Sequence, residues 1–395
     1  MITTELDKRP YQICSATVMD TSDPDITFDT QGVCSYVHNF DEKIKPILQP
    51  SEAKSKALEG LLKEIKSHGR GKEYDCIIGI SGGVDSSYLA YYLKKKAGLR
   101  PLAVHLDGGW NSELAVKNIE EILKKLDIDL LTYVVDWEEM KDLQVAFLKS
   151  GVPNQDVPQD HAIIASLYKT AKEKKIKYII SGHNFATESI LPKAWGYDAM
   201  DSIHLKSIHR KFGKVRNLKS YPLISFIDYY LVSRYLKKIQ SIRFLNLIDY
   251  NKQEAMSLLQ KDYGWRYYGG KHYESRFTKF FQSYYLPTRF GYDKRRAHLS
   301  SLIVSGQLSR EAALHELEKP LYDPKELDED KAYIQKKLDL SPEEFEEILR
   351  QPLKTHKDYP SNESVYSFVR NLYLRMKKIG KKSRNDDSLE YVIRF

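Results

Sequence analysis

The chain has 395 residues, 62 Lys plus Arg against 54 Asp plus Glu for a formal net charge of +8, and three cysteines. Such a length holds roughly two or three domains with cores of their own, and three cysteines exclude a disulfide framework. The positive balance favours anionic ligands, phosphorylated small molecules ahead of nucleic acid, although solvated lysine faces produce the same figure.

Glu5, Asp7, Lys8 and Arg9 stand where the apolar core of a secretion signal would lie, which leads us to expect a cytosolic address. Residues 1–70 start with turn formers and continue into a helical pattern in which Leu58, Leu61, Leu62 and Ile65 recur on one face. From residue 71 to about 220 the pattern changes. Short apolar runs at 76–80, 101–106, 129–135 and 177–182 predict strands, and the stretches 86–98, 112–127 and 160–175 between them predict helices. This alternation implies a doubly wound, mostly parallel α/β sheet whose ligands bind at the carboxyl ends of its strands. The apolar stretch 221–236 contains Asp228 and Arg234 and is too short to span a bilayer, so it reads as a core helix. Residues 221–395 read as a mostly helical domain, with a capping box at Ser341 to Glu344 and Ser309 as another helix cap.

The stretch IIGISGGVDSSYLA, residues 77–90, places a glycine loop between the first strand and a helix. Gly82 and Gly83 allow backbone N–H groups to converge on an anion at the helix start, and Ser81, Ser86 and Ser87 add hydroxyl donors. The loop has no lysine for the outer phosphates, unlike GxxxxGK[ST], which argues against γ-phosphoryl transfer. It resembles the pyrophosphatase loop SGGxDS of the N-type ATP pyrophosphatases, the PP-loop superfamily of asparagine, GMP and NAD synthetases and tRNA thiolases. The match runs through Ser81, Gly82, Gly83, Asp85 and Ser86.

That resemblance implies an adenine nucleotide alpha hydrolase-like fold, ATP and Mg²⁺ as cofactors, and cleavage between the α- and β-phosphates. It implies roles at two further strand ends. In HLDGGWNS, Asp107, Gly108 and Gly109 would contact the nucleoside. In SGHNFATES, Gly182, His183 and Asn184 would serve the nucleotide, and Glu188 would hold metal together with Asp85. Both carboxylates offer the oxygen ligands that a hard cation takes.

Three other segments, 18–34, 150–168 and 269–314, resemble the N-acetyl sugar amidotransferases of bacterial O-antigen and related surface-sugar (lipopolysaccharide) biosynthesis. The resemblance implies adenylation of an acetamido oxygen on a nucleotide-activated sugar, then conversion to an acetamidino group with ammonia. A separate glutaminase subunit like that of histidine biosynthesis would supply the ammonia, with a cyclase-like subunit as a further partner. Lys271, His272, Glu274 and Arg276, and the run Lys294, Arg295, Arg296, become candidates for pyrophosphate or the sugar nucleotide's diphosphate. Asp156, Gln159, Asp160 and His161 are candidates for the sugar or a proton transfer, with helix capping the plainer role for Asp160.

The chain departs from that family near its N-terminus, where relatives carry two Cys-x-x-Cys pairs. Here the pairs read Cys14 with Thr17 and Cys34 with Val37, and one adjacent histidine, His38, remains. A four-cysteine zinc site is therefore excluded, and no zinc is expected. A tRNA-modifying, thiolase-like enzyme and a catalytically degenerate scaffold are the competing readings.

Overall fold

The computed structural model describes residues 9–270 and 273–363. Ser51 accepts the Lys54 N–H and so starts helix α1 (Glu52–Gly69), after which the chain enters strand β1 (Cys76–Gly79). Helix α2 (Val84–Tyr91), strand β2 (Pro101–Asp107), helix α3 (Glu113–Leu126) and strand β3 (Leu130–Val134) follow. Helices α4 (Trp137–Ser150) and α5 (Val157–Glu173) lead to strand β4 (Tyr178–Ser181), and helix α6 (Ser202–Phe212) precedes strand β5 (Gln240–Arg243).

The five strands form one sheet in the order β3-β2-β1-β4-β5, and every neighbouring pair is parallel. Ile77 of β1 stands opposite Leu102 on one side and Ile179 on the other. The chain winds outward from β1 to β3, then returns to β4, so the direction of winding reverses between β1 and β4. At such a reversal the loops leaving the two strands diverge and open a crevice at their carboxyl ends.

Apolar residues on both faces of the strands explain why the sheet is central. Ile78, Ile180 and Ile242 pack under α1, α2 and α3, while Ile77, Leu102, Val104 and Ile179 pack against α5. Full burial of each such side chain contributes about 1.5–3 kcal/mol. Beyond β5 come helices α7 (Lys252–Tyr263), α8 (Lys294–Val304), α9 (Arg310–Glu318), α10 (Pro324–Lys337) and α11 (Pro342–Arg350). A helical stretch across residues 276–290, π-helical in its middle, buries Phe277, Phe280, Phe281 and Tyr285 with Phe147 and Phe345. Cys14, Met19, Ile26 and Cys34 belong to the same core, so the N-terminal segment packs on the C-terminal helices.

The expected doubly wound sheet is present, with four differences in detail. A fifth strand lies past residue 220, where only Ile242 is buried in an otherwise polar tetrapeptide and alternation is too short to read. Helix α4 was not anticipated. Helix α5 begins at Val157, with Pro158 in its first turn, so Asp160 lies inside the helix and does not cap it. The stretch 221–236 is not a core helix: its helical part, Ile227–Leu236, lies on the surface, with Ile227 64% and Leu236 70% exposed. Among the described residues, no helix is long and apolar enough to cross a membrane.

Candidate active site

The loop after β1 and the turn after β4 face each other across the crevice. Gly82 adopts φ +83°, and a Cβ there would stand 2.6 Å from the Ala115 carbonyl of α3. Trp265 fixes the same residue from above by donating its indole N–H to the Gly82 carbonyl at 2.8 Å. Gly83 is the N-cap of α2 and has no side chain to occupy the first-turn N–H groups, which leaves them directed at the crevice. Ser81 and Ser86 share a hydroxyl contact of 3.3 Å, and Ser86 donates to the Gly83 carbonyl at 3.2 Å, so the loop is braced internally. Across the crevice, a Cβ on Gly182 would come within 3.1 Å of the Ser86 nitrogen. Glycine at 182 therefore lets the β4 turn approach the loop.

Asp85 projects from the first turn of α2. The buried Tyr250 hydroxyl donates to its Oδ1, and the Thr187 hydroxyl donates to Oδ2 at 3.5 Å. Glu188 ends the short helix Phe185–Glu188 after β4 and pairs with His183. Burial pushes the Tyr250 phenol well above its ordinary pKa, and the charges of both Asp85 and Glu188 push the same way. Both carboxylates line the same cavity.

A cavity of about 620 Å³ opens over these groups. Its wall includes Ser81, Gly83, Asp85, Ser86, Gly182, His183 and Glu188 from the two facing turns. Asp156, Gln159 and Asp160 enter from the start of α5, and Glu274 and Lys294 from the C-terminal region. Glu274 lies against the loop itself: a Cβ on Gly83 would be 3.6 Å from its Oε1 and 3.0 Å from the Tyr268 hydroxyl. The Tyr268 phenol, hydrogen-bonded to Glu274, is raised well above its ordinary pKa, mainly by burial. Asp156 accepts from the Thr278 hydroxyl at 3.1 Å, which links the start of α5 to the helical stretch 276–290.

Other anticipated residues are engaged elsewhere. Asp107 accepts from the Gly109 N–H at 2.9 Å and, with Gly108, shapes the turn outside the cavity wall. Ser87 is fully buried on α2, and Asn184 caps the helix that carries Glu188 by accepting the Thr187 N–H. His161 is a core residue. Its Nδ1 donates to the Ala199 carbonyl at 2.6 Å, its Nε2 accepts the Ile224 N–H at 3.1 Å, and burial lowers its pKa to about 4. A neutral ring held by two backbone groups is not poised for proton transfer.

The basic run 294–296 is dispersed because successive residues on a helix point about 100° apart. Lys294 reaches the cavity. Arg295 pairs with Asp293 and donates to the Lys319 carbonyl at 2.8 Å, whereas Arg296 pairs with Asp20 at 3.0 Å and donates to the Val18 carbonyl. Arg276 is bound to the buried Asp330 and lies over the Tyr333 ring. Lys271 and His272 fall outside the described residues.

Sequence reasoning missed Tyr250, Thr187, Tyr268, His105 and Asn111. His105 contacts the Ile80 carbonyl through Nδ1 at 2.9 Å and Asn111 through Nε2 at 3.0 Å, and both side chains line the cavity. Thr187 and Asn111 sit inside the quoted motifs, where hydroxyl and amide groups were visible. Tyr250 gave no local signal, being 165 positions from Asp85.

At the N-terminus, the Cys34 N–H donates to the Cys14 sulfur at 3.2 Å, and the Thr17 hydroxyl lies 3.9 Å from the Cys34 sulfur. Hydrogen bonding from Cys34 lowers the Cys14 thiol below its ordinary pKa, and the thiol of Cys34 is raised in turn. His38 points away, to Asp29 at 2.8 Å. No group of three or more His, Cys, Asp or Glu suited to a metal occurs among the described residues.

Residues 274–373 match the family model described as "LPS biosynthesis protein WbpG-like, C-terminal domain"; the described residues cover this match as far as 363. An uncharacterized protein, MJ1599, of Methanocaldococcus jannaschii is 26% identical over 312 residues, 77% of this chain and 89% of its own length. A tRNA(Ile)-lysidine synthase of Chlamydia pneumoniae is 26% identical over 44% of this chain and 47% of its own. A GMP synthase [glutamine-hydrolyzing] of Pyrobaculum aerophilum is 30% identical over 35% of this chain and 26% of its own. Among solved structures, the NH3-dependent NAD synthetase of Campylobacter jejuni aligns with 76% of this chain and 98% of its own at 15% identity, with a TM-score of 0.28.

The parallel sheet and the glycine loop at the β1–β4 crevice thus accompany partial sequence similarity to a tRNA(Ile)-lysidine synthase and a GMP synthase. Its C-terminal part, residues 274–373, is similar to the WbpG-like C-terminal domain.

Proposed function

We propose that the protein is an ATP-dependent, AMP-forming amidotransferase that converts an acetamido group of a nucleotide-activated sugar to an acetamidino group, in bacterial O-antigen or related surface-sugar biosynthesis. One observation carries the reading: Glu274, at the start of the WbpG-like match, and Lys294 within it enter the same cavity as the SGGVDSS loop. A domain named for lipopolysaccharide biosynthesis thus shares its site with a loop suited to cleaving ATP between the α- and β-phosphates.

In this proposal the acetamido oxygen attacks the α-phosphorus of ATP, the bond to the bridging oxygen breaks, and pyrophosphate leaves. Ammonia then adds to the imidate carbon, and AMP departs with the former amide oxygen. An amide carbon is a poor electrophile, and adenylation converts its oxygen into a leaving group. Ser81, Gly82, Gly83, Ser86 and the α2 N-terminus receive phosphate oxygens as negative charge develops on them. Asp85 and Glu188 would hold a Mg²⁺ ion, a hard cation suited to one or two carboxylates, which would supply charge neutralisation for the leaving pyrophosphate. Asp156, Gln159, Asp160, Glu274 and Lys294 form the acceptor side. Ammonia would come from a glutaminase subunit, with a cyclase-like partner.

The test is product analysis with isotope-labelled ammonium, ATP, Mg²⁺ and a panel of UDP- and CMP-linked N-acetyl sugars. The expected product is a nucleotide sugar that retains the labelled nitrogen in an amidine. Labelled nitrogen found in tRNA, or a sulfur requirement, would instead favour the tRNA-modifying reading suggested by the lysidine synthase relative.

A further inference from the structure

The loop has no lysine of its own, and Lys252 lines the cavity over which the loop lies. We infer that Lys252 is the cation that holds the pyrophosphate end of ATP, and that Gln307 is the positioning residue that sets it there. This rests on the ATP-cleaving reading above.

Gln307 forms a two-point clamp on residues 250–252. Gln307 lies in the turn between α8 and α9, where its own N–H is tied to the Leu302 carbonyl at 2.8 Å. Its side-chain Nε2 donates to the Tyr250 carbonyl at 2.9 Å, and its Oε1 accepts the Lys252 N–H at 2.9 Å. Between these points, Asn251 caps α7 by accepting the N–H groups of Gln253 and Glu254. Residues 250–252 are therefore held as one rigid unit.

The two ends of that unit serve one place. Tyr250 turns its hydroxyl onto Asp85 of the loop helix, and Lys252, half-buried, lines the cavity that Asp85 and Glu188 also line. The turn that bears Gln307 grips the other carboxylate's helix as well, since the Ser305 hydroxyl donates to the Ala186 carbonyl at 2.8 Å. Lys252 thereby lines the cavity on the side of the Asp85 and Glu188 carboxylates. Lys294 approaches differently, with its ammonium 5.6 Å from the Phe281 ring among the acceptor-side turns. An ammonium is a compact point charge and needs no fork geometry to bind phosphate oxygens. Lys252 supplies what a lysine inside the loop supplies in other phosphate-binding loops, from a position about 170 residues away in the chain.

The experiment is calorimetric binding of pyrophosphate, ATP and AMP, each with Mg²⁺, to the full-length protein and its variants. Lys252→Gln should weaken pyrophosphate and ATP by about 10- to 100-fold and leave AMP within about twofold, because only the outer phosphates meet the ammonium. Lys252→Arg should recover part of the loss. Gln307→Ala should weaken pyrophosphate by roughly three- to tenfold with AMP unchanged, since the clamp and not the charge is lost. Unchanged pyrophosphate affinity in Lys252→Gln, or an equal loss of AMP, overturns the inference. A wild-type protein that binds neither ATP nor pyrophosphate overturns the functional reading itself, and this inference with it.

Discussion

Gly82 illustrates how a single residue serves both fold and site. Its positive φ and the Ala115 carbonyl 2.6 Å from a would-be Cβ mean that any side chain must push α3 away from the loop. Gly82→Ala should destabilise the protein by about 1–3 kcal/mol and weaken ATP binding. Gly71→Ala has a similar φ of +76° but open space around the Cβ, so it should cost only the conformational part and leave ATP binding intact. Thermal unfolding with and without ATP separates the two; equal loss of ligand stabilisation in both variants would contradict this account of Gly82. Asp85→Asn keeps the shape of the side chain but removes its charge, and should lower turnover by about 100-fold or more. Tyr250→Phe removes only the hydrogen bond to Asp85 and should lower it by about tenfold or less. The reverse order would show that Tyr250, not Asp85, meets the substrate.

At the scale of elements, residues 351–362 form a strap across α4 and α6. Gln351 donates to the Leu148 carbonyl at 2.6 Å, the Tyr359 hydroxyl to the Ser150 carbonyl at 2.7 Å, and the Asn362 N–H to Asp201 at 2.9 Å. At its centre the Asn154 N–H donates to His356 Nε2, so the His356 proton sits on Nδ1 and donates to His204 Nε2 at 3.0 Å. Burial holds His204 down to about 4 and His356 to about 2. In the unfolded chain both histidines titrate near pH 6.5. Between about pH 6.5 and 4 the unfolded state therefore binds more protons, and stability falls as the solution is acidified. His356→Gln should flatten that fall, measured as the urea midpoint at pH 7 and pH 5; an unchanged slope would remove the histidine pair as its source. Because Asn154 also lines the cavity, the strap braces one wall of the site.

For the whole molecule, the part legible in sequence was the part set by local periodicity. Runs such as 76–80 and 101–106 are apolar on both faces because helices cover both sides of the sheet, and the glycine loop was visible as the junction between a strand and a helix. The strand at β5 and the helix α4 escaped because one is too short to alternate visibly and the other carries buried acids, Glu139 and Asp142, that bind backbone N–H groups of residues 214–221. In the site, the two facing turns were readable, whereas Tyr250, Lys252 and Gln307 depend on chain segments that meet only after folding. The basic run 294–296 misled because sequence proximity on a helix is angular divergence in space. The N-terminal segment carries a whole-molecule expectation too: held to the C-terminal helices by Arg296 and by Arg310, which donates to the Cys14 and Thr17 carbonyls, it should need no metal. Elemental analysis of the purified protein should find no stoichiometric zinc, and stoichiometric zinc would overturn that expectation.

Opening of ATP between its α- and β-phosphates, as proposed above, is reported directly by the products. Incubation of the protein with ATP, Mg²⁺, ammonium and nucleotide-linked N-acetyl sugars should release AMP and pyrophosphate in equal amounts. Release of ADP and phosphate would contradict it.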